Sequence, residues 1–153
     1  MKLVFFIFLI IALLCNLIWI SWTDIKSRLI TNRAILLTVL LILPFSYILW
    51  SKVFIVSAAV TLLIGFILFM LNAIGAGDVK LLSVLMLAVP SEEIMPFLFL
   101  VTVVGAVIAI MTIVWLLFHK KSFMKYKLSY GVAICGGFIL NFAPYILSVY
   151  SHF

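Results

Sequence analysis

The stretch VFIVSAAVTLLIGFILFMLN, residues 53–72, contains no charged side chain, and its polar members Ser57, Thr61 and Asn72 are small. At about 1.5 Å of rise per residue, a helix over such a run matches a hydrocarbon layer about 30 Å thick. It has neither the strict alternation nor the turn-separated units of about ten residues that mark a membrane β-strand. Similar apolar runs lie on both sides, at residues 3–22, 34–50, 78–90, 95–118 and 130–150. The sequence therefore predicts an all-α, polytopic membrane protein with about six transmembrane helices, one domain over residues 1–153. Composition points the same way. The chain is 69% hydrophobic and 9% charged, whereas soluble domains are about 45–50% apolar and about 25% charged.

The first run follows Lys2, but it is long for a secretory signal and lacks an Ala-x-Ala site, so it reads as a retained helix. Orientation follows from the basic residues, which stay on the cytoplasmic side of short loops. Lys26, Arg28, Arg33, Lys80, Lys120, Lys121, Lys125 and Lys127 fall in connections after the first, third and fifth runs, and only Lys2 and Lys52 fall opposite. Both termini are thus expected outside, with Glu92 and Glu93. The net charge of +6 reports this topology. It predicts contact with membrane lipids, and no nucleic-acid binding, because no extended soluble surface carries it.

The remaining acids, Asp24 and Asp78, are the informative ones. Asp24 closes the first run and Asp78 opens the fourth, so alternating topology brings both to the cytoplasmic side. A helix from Asp78 to Pro90 would rise only about 20 Å, which places Asp78 within the membrane. Ionisable groups at that depth are costly and are candidates for function. Asp78 follows Gly75-Ala76-Gly77, where two glycines admit a close backbone approach or unusual φ. Helix capping is the plainer alternative for each aspartate. Lys26 and Lys80 each sit two positions from an aspartate, a spacing that does not face the partner on a helix. Two converging carboxylates suit aspartic proteolysis, since like charges a few ångströms apart share one proton.

The stretch from Asp24 through Lys26, Arg28, Ile30 and Thr31 to Asn32 resembles the first aspartate motif of the type IV prepilin peptidases, with Thr31 at a usual proline. Gly75-Ala76-Gly77-Asp78-Val79-Lys80 is similar to that family's second motif, the Gly-x-Gly-Asp signature of aspartic intramembrane proteases. The stretch Ser129 to Gly137 is similar to a late Pro-Tyr-Gly-Pro-Ala-Ile segment, with Ser129 and Val132 at the prolines. The resemblance implies an inner-membrane aspartic endopeptidase that removes the basic leader of prepilins or pseudopilins on the cytoplasmic side, within reach of the pilus assembly machinery. Asp24 and Asp78 would be the catalytic pair. Gly75, Gly77, Lys80, Asn32, Tyr130 and Gly131 would bind substrate or shape the site, and no metal or cofactor is implied.

Bifunctional members carry a cytoplasmic Cys-x-x-Cys insertion and also methylate the new amino terminus. Here Cys15 and Cys135 are single and lie within predicted helices, where they read as packing residues, so peptidase activity without methyl transfer is expected. The short form is similar to the peptidases of tight-adherence (Flp) pilus systems. Helix polarity adds an expectation independent of the family: Asp24 at a negative helix end holds the proton at rest, and Asp78 at a positive end is ionised. Because both leader and connections are basic, steering does not explain recognition. Small residues Gly65, Ala73, Gly105 and Ala106 could admit the substrate's apolar stem, or simply pack helices within the chain. His119 and His152 stand alone, without zinc-ligand spacing. The alternatives are a small proton- or cation-coupled transporter or channel subunit using the same acids, and a non-catalytic assembly factor.

Overall fold

A computed structural model describes residues 2–118 and 130–151. His119, Lys120, Lys121, Lys125, Lys127, Ser129 and His152 lie outside the described residues. Each of the six apolar runs becomes a helix: α1 Lys2–Ser27, α2 Asn32–Trp50, α3 Ile55–Met70, α4 Ala76–Leu85, α5 Ile94–Phe118 and α6 Tyr130–Ser151. The described residues contain no strand. α1, α2, α5 and α6 are long and apolar enough to cross a membrane, whereas α3 is a shorter apolar helix. α4 has 10 residues and is continued by 3-10 turns at Met86–Ala88 and Ser91–Glu93. The fourth run is therefore not one continuous helix to Pro90. Pro90 has no amide hydrogen to continue a ladder, and the chain is extended there.

α4 and α6 occupy the middle of the bundle. α4 packs on α2, α3 and α6, and α6 packs on α1, α4 and α5. Outward faces stay apolar, as a hydrocarbon solvent requires, with Phe8, Leu36, Leu63 and Phe99 all more than 60% exposed. Aromatic rings fill the centre. Phe138 and Phe142 lie 4.4 Å apart by centroid, and Phe45 meets Phe142 edge-on at 5.7 Å. The α5–α6 seam depends on glycine: a Cβ on Gly137 would stand 2.8 Å from Val101 backbone atoms, whereas one on Gly105 would make an ordinary 3.5 Å contact with Ala133. Gly65 likewise admits Val79 of α4. Gly65 and Gly105 thus serve packing within the chain, while Ala73 and Ala106 are exposed. Cys135 is buried, but Cys15 is exposed and is not a packing residue.

The two ends of the bundle differ. At one end, Ser46 donates to the carbonyls of Lys52 and Leu87, Tyr145 donates its hydroxyl to Glu93, and Trp50 stacks edge-on against Tyr145. Glu93 is thereby anchored to α6. The other end gathers the starts of α2, α4 and α6 and the finish of α1, and it carries Lys26, Arg28, Arg33 and Lys80.

A buried polar link joins α1 to α2: Asn16 Nδ2 donates to Thr38 Oγ1 at 2.8 Å and to the Ala34 carbonyl at 3.3 Å. Thr38 itself donates to the Ala34 carbonyl at 2.9 Å. Removing the Thr38 hydroxyl takes away the shorter of this buried amide's two hydrogen bonds, while removing both side-chain groups leaves nothing unsatisfied. Thr38→Val should destabilise the protein by about 1 kcal/mol, and adding Asn16→Leu should recover most of that loss, as read by unfolding in detergent.

Candidate active site

Asp24 lies in the last turn of α1, which runs past the expected end at residue 22 to Ser27. The chain then reverses at Arg28, whose φ of 54° is left-handed and unfavourable for a residue with a Cβ. The Arg28 N–H donates to the Asp24 carbonyl at 2.9 Å, which closes the turn. Thr31, at the position the family gives to proline, caps α2 by accepting from the Ala34 N–H at 3.4 Å. A hydrogen bond there does what a fixed φ does elsewhere.

The Asp24 carboxylate is buried, at 6% exposure. Gly131 N–H donates to its Oδ2 at 2.9 Å, and the Val132 N–H lies near the same carboxylate. These are among the first amides of α6, which have no partner within their own helix. A proline at Val132 would have no hydrogen to give. The expected split between the aspartates rested on each facing only its own helix end. α6 adds a second, positive end at Asp24, which reduces the contrast between the two acids that helix polarity sets up.

Asp78 is the third residue of α4, after Gly75 as N-cap, and is half-buried. Its carboxylate folds back over Gly75, where a Cβ would stand 2.8 Å from Asp78 Oδ2. None of the glycines has positive φ. Gly75, Gly77 and Gly131 are thus used for close approach, not for unusual backbone angles.

The three sequence motifs meet. Lys80 Nζ donates to Asn32 Oδ1 at 3.2 Å, clasping the second motif to the first. The Cβ positions on Gly77 and Gly131 stand 3.7 and 3.1 Å from one atom, Ile30 Cδ1, and so lie within 6.8 Å of each other. A carboxylate oxygen of Asp24 is 2.8 Å from one of these positions, and Asp78 directly follows the other. The buried Cys135 of α6 has Ser21, Asp24 and Asp78 in its neighbourhood. In the sequence Ser21 has no signal, Ile30 is only one member of the first motif and Cys135 reads only as a packing residue. Their place beside the acids comes from tertiary packing.

A cleft of about 670 Å³ opens beside this end, between α3 and α5 and floored by α4 and α6. Asp78 and Tyr130 line it, and Ser57, Thr61 and Gly65 give its α3 wall a narrow, small-residue edge.

A Cβ on Gly131 would strike both the Asp24 carboxylate at 2.8 Å and Ile30 Cδ1 at 3.1 Å, whereas one on Gly75 meets only the flexible end of Asp78. In a thermal-shift assay in detergent, Gly131→Ala should lower the midpoint by several degrees, and Gly75→Ala should stay within about two degrees of the parent.

Comparison with known proteins supplies the identity of this arrangement. The model of the type IV leader peptidase family matches residues 3–110, a span that includes both aspartate motifs and ends before α6. No curated protein and no solved structure matches the chain. With most of its length covered by that match, the chain belongs to the type IV leader peptidase family.

Proposed function

We propose that this protease is a two-aspartate endopeptidase of the bacterial inner membrane that cuts the basic leader from type IV prepilins, of the Flp kind, on the cytoplasmic face. What carries the proposal is the meeting of two separate aspartate motifs at the basic end of the bundle, through Lys80 with Asn32 and through Ile30 with Gly77 and Gly131. Six crossings with both termini outside would turn this end to the cytoplasm. No methyl transfer accompanies cleavage, because the chain has no cysteine-rich insertion.

In the mechanism, one aspartate of the pair is ionised and the other protonated. The ionised carboxylate removes a proton from a water held between them, and the water oxygen bonds to the scissile carbonyl carbon. The protonated partner gives its hydrogen to the carbonyl oxygen, producing a neutral diol. The diol collapses as the C–N bond breaks: one hydroxyl proton returns to a carboxylate, and the leaving amine takes a proton from the pair. Gly75 leaves room for the substrate backbone beside Asp78, while the flank of Gly77 is already filled by Ile30. Gly131 holds Asp24, and Tyr130 edges the approach.

Because leader and enzyme are both basic here, recognition rests on apolar surface. The cleft between α3 and α5 ends at Asp78 and is almost wholly hydrocarbon, which fits a helical stem entering sideways from the membrane while its leader junction reaches the acids. Purified enzyme given a full-length prepilin should lose cleavage by on the order of 10²–10⁴-fold in both Asp24→Asn and Asp78→Asn. Full cleavage by either variant would reject the pair and favour a transporter-like role for the acids. A photo-cross-linking residue replacing Val60 or Leu98, in the cleft, should capture the prepilin stem, and one replacing the outward-facing Phe8 should not.

A further inference from the structure

From Ile25 to Arg33 every residue is exposed except Ile30. The left-handed turn at Arg28 sends Leu29 outward, at 68% exposure, and delivers Ile30 inward against the core. There it meets no side chain from residues 77 and 131, because both are glycine. Its Cβ stands 3.1 Å from where Gly77 would carry a Cβ, and its Cδ1 stands 3.1 Å from the same position on Gly131. Each glycine belongs to one acid. Gly77 is the residue before Asp78, and Gly131 is the residue whose N–H holds Asp24.

We propose that Ile30 is a positioning residue: its side chain is the spacer that sets the separation of the Asp24 and Asp78 carboxylates. The proposal rests on the two-aspartate function above. Protein interiors resist voids, so the α4 and α6 starts close on the spacer until its carbons stop them. Thinning the spacer lets the two backbones approach, and thickening either glycine drives them apart. Ile30 is half-buried and has no group that could take part in the chemistry. It acts through the geometry of the pair, where an error of about 1 Å can cost about 100-fold in rate.

The test combines kinetics with a distance readout that does not need activity. Ile30→Val removes only Cδ1 and with it the contact to Gly131; kcat should fall about 3- to 10-fold, with KM within twofold. Ile30→Ala should lower kcat by about 100-fold, and Ile30→Leu, which restores the carbon count, should recover part of that loss. In parallel, Asp24→Cys/Asp78→Cys in a background with Cys15→Ser and Cys135→Ala is cross-linked with thiol reagents of graded spacer length. Adding Ile30→Ala should shift the preferred reagent to a shorter one. An unaltered length preference overturns the spacer role, and so does a shifted preference with kcat at the parent rate, or a fall in kcat that only tracks loss of folded protein. Retained cleavage by Asp24→Asn and Asp78→Asn would instead overturn the two-aspartate function, and the cross-linking series would still decide the spacing.

Discussion

The hydrogen bond from the Gly131 N–H to the Asp24 carboxylate, 2.9 Å long and buried, is the constraint on which the rest of the site depends. A carboxylate removed from water is costly unless its oxygens are paired. The first amides of α6 supply that pairing, and they too need acceptors that their own helix lacks. One contact therefore satisfies two unmet demands and ties the end of α1 to the start of α6, across 107 residues of sequence. α6 in turn carries the packing of α5, and α4 fits between α6 and α2. The place of Asp78 follows from where α4 can sit.

The fold was largely legible because lipid makes so crude a demand: long apolar runs must become helices, and all six did. The boundaries were less so. α1 keeps going through Thr23 and Asp24, since Thr23 bonds the Ile20 carbonyl of its own helix and α6 supplies the partner for Asp24. α4 stops at Leu85 because nothing in an apolar run announces where a helix tightens into 3-10 turns. Asp24, Asp78, Lys80 and Asn32 stood out as polar residues in an apolar chain, and the structure gathers them. Ile30 had no such contrast. Its importance comes from two glycines far away in sequence, and only tertiary packing shows that their missing side chains face the same atom. The helix-polarity expectation used only each acid's own helix, whereas the start of α6 is a second helix end at Asp24.

Under the proposed function, the basic end of the bundle and the hydrocarbon cleft have separate tasks. Charge would set the orientation of the protein in its membrane. The cleft offers an apolar path that reaches Asp78 while Asp24 stays behind Gly131 and Tyr130, away from the lining. Under that proposal, a stem entering by this path would meet Asp78 first and Asp24 through the α6 start.

The claim that both acids belong to one site is tested most directly by their effect on backbone signals that neither shares by sequence. With only seven glycines in the chain, selective ¹⁵N-glycine labelling in detergent micelles gives a spectrum simple enough to assign. The Gly131 amide should move strongly in Asp24→Asn and Gly75 in Asp78→Asn; in a single site, each should also respond to the substitution in the other motif. Signals that answer only to the aspartate of their own contact, with no cross-response, would contradict it.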